Sequence, residues 1–521
     1  MSWKPEVDEI HRRRELALAL GGEESVEKQH KRGRLTIRER IDGLLDAQSF
    51  HEEGPQSGYG ERDESGKLIH FTPANYVLGL GRLNGRPCVV GGEDFTQKGG
   101  SPSPAGLRKS VYAEELACRY RVPLVRFLEG GGGSVAGAGN KSKGPSAPRL
   151  AGNPVYATHR FLSIAQVMRV VPVVSAAVGA VAGLPAARLV ASHLSIMTRK
   201  TSQILIAGPA IVERALGEKR TKEQLGGARV HLRSGVADVA AEDEEDVFRL
   251  IRCFLSYLPT NVSQLPPRVP CDDDVQRRDE ELIEIIPRER RKVYKMRRIL
   301  QCVFDSGSLF EMTSGYGRSQ ITALGRLDGR PVGIWANDPR FYGGSMDAEG
   351  SQKVSRFVRL CETFHLPIVC FVDEPGFMIG TAAEAAGTIR YGVEAINAVM
   401  ESSIPWMSVL VRKSYGVAAA AHFGPEATVL AWPSAEAGAL PLEGGVAVAF
   451  RREIEAAADP EAKRAELEEM LAKGRNPFSR AEAFGVNDLI DPRSTRPALC
   501  EWLDWVEPLL CERVAGSAGR S

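Results

Sequence analysis

Residues 369–380 read VCFVDEPGFMIG, a β-branched, apolar run that ends in two acids, a proline and a glycine. Residues 124–133, LVRFLEGGGG, have the same form, a run without polar alternation that empties into bare backbone. Continuous apolar runs of this length predict strands covered on both faces, and hence parallel sheet in an α/β layer. Folds of that kind place ligands in the turns beyond the strand ends. One glycine turn alone is equally well explained by chain reversal.

The two stretches, however, stand in register with each other. Residues 80–87 are LGRLNGRP and residues 324–331 are LGRLDGRP, an offset of 244 (324 less 80). At the same offset Gly99, Gly100 and Ser101 match Gly343, Gly344 and Ser345, Pro123 matches Pro367, and Glu129 matches Asp373, while Cys118 falls close to Cys361. Coincidences repeated at one spacing identify two copies of one domain. The Asn-Gly and Asp-Gly pairs predict hairpin turns. Each copy is expected to run hairpin, GGS turn, helix (105–121; 350–365), buried strand, glycine turn, helix and second strand (170–177; 404–411). Strands alternating with helices predict right-handed crossovers and a largely parallel sheet. Each second strand leads into another small-residue turn, GAVAGLPAA from Gly179 and SYGVAAAA from Ser414.

Residues 265–287, LPPRVPCDDDVQRRDEELIEIIP, are rich in proline and acid and read as a linker. The chain is thus expected to hold an N-terminal domain over 1–264, with a helical arm at its start, and a C-terminal domain over 288–521. Within the arm, Thr36 and Glu39 have the spacing of a capping box at the start of a helix. Residues 453–474 predict a single charged, exposed helix. A chain of 521 residues exceeds one core, which agrees with two domains.

Bulk composition excludes several classes. Lys and Arg number 67 against 66 Asp and Glu, a net charge of +1, so no broad basic field awaits nucleic acid. No apolar run is long enough to span a bilayer, and the first twenty residues lack a signal-peptide pattern. Nine cysteines without a CxxC pair fit reduced thiols in a cytoplasmic protein better than a disulfide framework or a zinc site. The expectation is a cytoplasmic chain with no membrane, nucleic-acid or metal partner.

The turns carry the chemistry. A helix whose first turn is glycine or alanine offers unpaired N–H groups to negative charge. Four such turns, two per copy, point to two oxyanion-type sites, which need no side-chain acid or base. The phosphate-binding GxxxxGK[ST], a nucleophile-elbow GxSxG with its Asp and His, and HExxH are all absent. His193 and His422 lie near the small-residue turns and read as packed or surface residues. On an amide-only mechanism, His422→Ala leaves most activity. Asp373 and Glu374, adjacent on a strand, face opposite ways, and at least one is expected to have a structural task such as capping the next helix.

The sequence resembles the carboxyltransferase (β) subunits of biotin-dependent acyl-CoA carboxylases, the propionyl-CoA and methylcrotonyl-CoA carboxylase group. The likeness runs through KRGRLTIRERIDGLLDAQSF, GEDFTQKGGS, EQLGGARVHLRSGVAD, FVDEPGFMIGTAAEAAGTIRYG, RKSYG, WPSAE and NPFSRAEAFGVNDLIDPRSTR, nearly the whole chain. It implies two tandem crotonase-like (ClpP/crotonase superfamily) domains, a homo-hexamer, and an active site between the N-domain of one subunit and the C-domain of another. It implies CO2 transfer from carboxybiotin, borne on a separate biotin carboxyl carrier and loaded by a biotin carboxylase, to an acyl-CoA. The family's thioester hole falls here on the amides of Gly183 and Leu184, and its biotin hole on those of Val417 and Ala418. Gly131, Gly132 and Gly133 would wall the acyl-CoA side. Pro375, Gly376, Phe377 and Gly380, with Tyr415 and Gly416, would wall the biotin side. The chain departs from relatives in EGGGGS, which lacks their arginine, in Leu184 and Val417 for glycines, and in Ala420 for an aspartate that helps set acyl-chain length. Neither a biotinylation motif nor an ATP-binding domain is expected in the chain. Transcarboxylase, decarboxylase and non-catalytic scaffold readings stay open on the same fold, and a hydratase or isomerase is disfavoured by the duplication.

Overall fold

The Asn84-Gly85 and Asp328-Gly329 pairs take positive φ at both residues (50° and 78°, then 53° and 73°), as two-residue hairpin turns require. In the first unit of the computed structural model, the turn joins β2 (Tyr76–Leu83) to β3 (Arg86–Glu93), with β1 (His51–Glu52) antiparallel on the outer side of β2. The sheet then continues in parallel through β4 (Leu124–Gly130), β5 (Val173–Ala182), β6 (Leu194–Thr198) and a last strand, β8 (Val239–Ala241), while β7 (Gln203–Leu205) pairs with the far end of β5. The second unit repeats this order. Strands β9 (Phe310–Met312), β10 (Gln320–Leu327) and β11 (Arg330–Asn337) are antiparallel. Parallel to β11 follow β12 (Ile368–Glu374), β13 (Trp406–Tyr415), β14 (Thr428–Ala431) and β16 (Asp488–Leu489), with β15 (Glu436–Gly438) on the end of β13. The structure describes residues 2–131, 161–290, 292–473 and 477–518, and contact density divides the chain into Met1–Val262 and Ser263–Ser521.

The expected buried strands, β4 and β12, are buried at every position. Helix α4 (Pro104–Tyr120), capped by Ser103 with proline in its first turn, lays Ala113, Leu116 and Ala117 against Leu78, Val89 and Leu124. Ahead of it in the chain come α1 (Lys4–Leu18), α2 (Glu23–His30) and α3 (Ile37–Leu44), the last opened by the Thr36–Glu39 capping box. The GGS turns are close backbone contacts. A Cβ on Gly100 would stand 2.3 Å from the carbonyl oxygen of Glu129, and one on Gly344 would stand 2.6 Å from that of Asp373. Each turn therefore lies directly on the end of its buried strand.

Three expectations need correction. Strands β5 and β13 run on to Ala182 and Tyr415, past the predicted ends at 177 and 411, because β7 and β15 supply ladder partners for Ala180–Ala182 and Lys413–Tyr415. The charged stretch 453–474 is two helices, Arg451–Ala456 and Pro460–Lys473. Asp459 accepts from the amides of Glu461 and Ala462 and starts the second, with Pro460 at its first position. The stretch 265–287 packs as part of the second unit. Leu282 is buried in its core, Val269 donates to Gly329, and Arg496 donates to the carbonyls of Asp273 and Asp274.

Candidate active site

The longer strands reduce each second turn to a single glycine. Gly183 follows β5 with φ 66° and ψ −128°, and Gly416 follows β13 with φ 65°. Both strands are ten residues long, so Gly183 and Gly416 are structural equivalents. At Gly183 the backbone is in a region open only to glycine, and it turns the chain at once into α5 (Leu184–Val190). Gly416 opens α8 (Gly416–Ala420); among the helices between these are α6 (Ala348–Thr363) and α7 (Thr388–Met400) of the second unit.

First-turn amides have no partner within their own helix. In α5 these belong to Leu184 and Ala186, since Pro185 has none and Ala187 already donates to Gly183. In α8 they include Val417 and Ala418. Val417 is 63% exposed and Ala418 is fully buried. In register, Leu184 corresponds to Val417 and Pro185 to Ala418, so the predicted pair Gly183 and Leu184 is shifted by one position from the pair Val417 and Ala418. The departures at Leu184 and Val417 leave the amides in place.

Of the walls, Gly131 is half-buried past the end of β4, and Gly132 and Gly133 lie outside the described residues. Gly376 donates its N–H to Glu374 Oε1 (2.9 Å), so that amide is spent within the protein. Pro375 is half-buried beside it. Phe377 forms a bridge with Met346 and covers Gly392, where a Cβ would meet its ring at 2.3 Å. Gly380, φ 103°, opens the short helix Thr381–Ala385. Tyr415 is buried and donates its hydroxyl to Glu436 (2.8 Å), a structural task.

Neither Asp373 nor Glu374 caps the next helix, whose cap is Gly380. Asp373 accepts from the Tyr294 hydroxyl (2.9 Å) and the Lys413 amide (3.1 Å) and pairs with Arg412 (3.2 Å). Burial, and after it the Asp373 charge, pushes the Tyr294 phenol well up. The counterpart of Asp373, Glu129, accepts from Gln29 (2.8 Å), Arg34 and Arg40 (2.7 Å), all from the segment before or within α3. In the first unit, then, the preceding chain neutralises the acid at the end of the buried strand, whereas in the second the preceding chain supplies the Tyr294 hydroxyl and the neutralising cation is Arg412 of β13. His193 sits at the base of β5, where its Nδ1 accepts from the Val173 amide (3.0 Å). His422 is completely buried just past α8.

A set of residues missed in the sequence holds α5. Glu114 of α4 pairs with Arg126 (3.0 Å) and Arg188 (2.9 Å), and all three are buried. Arg188 also donates to Ser110 (2.9 Å), and Arg126 caps the Ala191 carbonyl (2.6 Å). A small cavity beside this cluster is lined by Tyr76, Glu93, Leu184 and Pro185, and burial pushes both the Glu93 carboxyl and the Tyr76 phenol up. The visible signal was Arg126 itself, a charge in the middle of LVRFLE where the second copy has Cys370. Elsewhere among the described residues Cys271, Asp273 and Asp305 lie together, but their carboxylates already accept from Ser306, Asp328 and Gly329 and pair with Arg277 and Arg496.

Comparison with known proteins agrees with this fold. Residues 28–507 match the carboxyl transferase domain model. The propionyl-CoA carboxylase carboxyltransferase subunit of Haloferax mediterranei is 36% identical, over 96% of this chain and 95% of its own. Methylmalonyl-CoA decarboxylase subunit alpha of Veillonella parvula is 33% identical, over 95% and 94%. The transcarboxylase 12S structure, a hexamer with methylmalonyl-coenzyme A and methylmalonic acid bound, superposes with a TM-score of 0.84 at 32% identity, covering 98% of this chain and 96% of that one. With its duplicated crotonase-like sheet and a family match over most of its length, the chain belongs to the carboxyl transferase domain family.

Proposed function

We propose that this chain is the carboxyltransferase subunit of a biotin-dependent acyl-CoA carboxylase. The observation that carries the reading is the repeated device of a positive-φ glycine at the same register of two equivalent strands, each opening a helix whose first amides are free of intrahelical partners. Backbone donors of this kind suit an oxygen on which negative charge develops, and a single preorganised donor contributes on the order of 3 kcal/mol to a transition state. The amides of the Gly183–Leu184 turn would hold the thioester oxygen of an acyl-CoA, and those of Val417 and Ala418 the ureido oxygen of biotin. Carboxybiotin on a carrier protein supplies the CO2. The chain's own part is to orient the two carbonyls and to stabilise charge on them.

Ala418, Ala419, Ala420 and Ala421 keep the biotin-side turn small. The family resemblance puts Ala420 where short-chain enzymes carry an aspartate, so propionyl-CoA is not assigned as the substrate. A hexamer of this chain, a biotin carboxylase and a biotin carboxyl carrier as partners, and a cytoplasmic setting belong to the same reading. Among the described residues no two cysteines are joined in a disulfide, and no helix is long and apolar enough to cross a membrane.

The test is to purify the chain with a biotin carboxylase and carrier and to follow fixation of labelled bicarbonate over a panel of acyl-CoA thioesters. Turnover with one or more is expected. No turnover with any thioester would leave the scaffold reading. The decarboxylase and transcarboxylase relatives make a second direction worth the same assay: label exchange between two acyl-CoAs without ATP, in a complex that fixes no bicarbonate, would identify a transcarboxylase.

A further inference from the structure

Glu374, at the end of β12, and His422, just past α8, are both completely buried, and Glu374 Oε2 stands 3.8 Å from His422 Nε2. Their other contacts assign the protons. His422 Nδ1 lies 3.3 Å from the Ala418 carbonyl oxygen, which can only accept, so Nδ1 carries a hydrogen and, in the neutral ring, Nε2 is left as a lone-pair acceptor. Among the described residues Nε2 has no hydrogen-bond partner. Glu374 Oε1 accepts from the amides of Gly376 (2.9 Å) and Met346 (3.3 Å), and Oε2 accepts from Asn337 Nδ2 (3.0 Å). The group facing the empty acceptor must be a donor, and a carboxyl protonated on Oε2 is one. Burial agrees on both counts, holding the Glu374 carboxyl well above the usual range and the imidazole down at about 3.

The ring cannot swing away. It stacks on Trp335 with centroids 4.1 Å apart and planes at 23°, and the His422 carbonyl accepts from Trp406 Nε1 (3.0 Å) and Ser408 (2.6 Å). An apolar pair of similar volume would cost less to bury. What a directional pair adds is a fixed distance between the elements that carry it. Those elements are loop 375–380 and α8, the two sides assigned to biotin under the function proposed above, on which this inference rests.

We propose that Glu374 and His422 are positioning residues for carboxyl transfer, a neutral acid–imidazole strut that sets loop 375–380 against the amides of Val417 and Ala418. The strut runs from the Gly376 amide through the Glu374 carboxyl and the His422 ring to the Ala418 carbonyl. Closing the 3.8 Å gap to hydrogen-bond length takes a shift of about 1 Å, within the reach of the Glu374 side chain. His422→Ala is then expected to lose transfer, the reverse of what an amide-only site expects.

The experiment uses the full chain with its biotin-carrying partner and compares His422→Phe, Glu374→Val and Glu374→Gln with the parent by backbone amide exchange and by kinetics. His422→Phe is expected to speed exchange at least tenfold in residues 376–380, and Glu374→Val in residues 417–421, each remote in sequence from the change. Both are expected to raise the KM for free biotin as carboxyl acceptor at least tenfold while leaving that for acyl-CoA within about twofold. Glu374→Gln, which keeps a donor towards Nε2 and an acceptor towards the amides but gives up the acceptor for Asn337, should restore both readouts in part. Exchange changes confined to the substituted segment, or a Gln variant no better than Val, would overturn the strut. Should the Val or Phe variant not fold, nitrogen-15 spectra of the histidine-labelled parent decide: an Nδ1–H neutral ring is expected at His422, and an Nε2–H ring or an imidazolium would overturn it. A parent that shows the exchange coupling but turns over no thioester would remove the proposed function and leave the strut standing.

Discussion

Replacing Val417 by proline removes one backbone donor from α8 and disturbs little else. The side chain is 63% exposed, so the change alters only a fraction of the roughly 1.5–3 kcal/mol that a fully buried valine contributes. Position 417 is in the first turn of Gly416–Ala420, where proline is tolerated, and Gly416 before it is at φ 65°, outside the right-handed helical region that proline disfavours in its predecessor. Stability is therefore expected to change by about 1 kcal/mol or less. If the Val417 amide stabilises charge on biotin, losing it costs about 3 kcal/mol of transition-state energy, a fall in kcat of roughly 10²–10³. Val417→Ala, which keeps the amide and loses the branched side chain, separates donor from bulk. The assay is carboxyl transfer from the carrier, with thermal unfolding and oligomer size checked on each variant. A folded Val417→Pro enzyme whose rate matches Val417→Ala would refute the assignment of this amide.

Removing the carboxylate in Glu114→Ala leaves Arg126 and Arg188 buried without their shared partner, a loss of about 3–5 kcal/mol; a fall in the melting temperature on the order of 10 °C is expected by calorimetry. Gly344→Ala would drive a Cβ to 2.6 Å from the Asp373 carbonyl at a φ of 94°, and it should yield little soluble protein or a strongly lowered Tm, whereas Gly343→Ala, with open space around it, pays only for its φ of 64° and should be milder. The Glu374–His422 pair predicts a stability profile with two slopes. His422 stays neutral in the fold down to about 3 against an ordinary 6.5, so its contribution is intact above 6.5 and is lost as the pH falls from there, by about 1.4 kcal/mol per pH unit. Glu374 keeps its proton above the ordinary 4.5, so its contribution is intact below 4.5 and is lost as the pH rises. Unfolding titrations should show Glu374→Gln flattening the alkaline slope and His422→Phe the acid one.

Much of the architecture was legible because it depends on residues close together in the chain. Asn84-Gly85 and Asp328-Gly329 force hairpin turns through their own φ angles, Thr36 and Glu39 cap a helix across three residues, and the apolar runs 124–128, interrupted only by Arg126, and 368–372 specify strands hidden on both faces. The 244-residue offset, between Leu80 and Leu324, then made one domain into two. The candidate amides were legible only with the help of the family resemblance, since four small-residue turns look alike in sequence.

What the tertiary structure alone decided were features whose partners lie far along the chain. The ends of β5 and β13 are set by β7 and β15, short strands with weak local signals, and only that pairing moves the turns to Gly183 and Gly416. Arg188 meets Glu114 across 74 residues and Gln29 meets Glu129 across 100, separations at which no periodicity can be read. Asp373 and Glu374 show the division most plainly. Strand alternation determined that they point to opposite faces, but which face held Tyr294 and Arg412, and which held Asn337 and His422, followed from packing. Local sequence fixes backbone direction because its forces act within a few residues; the charge state of a buried acid depends on every neighbour that replaces water around it.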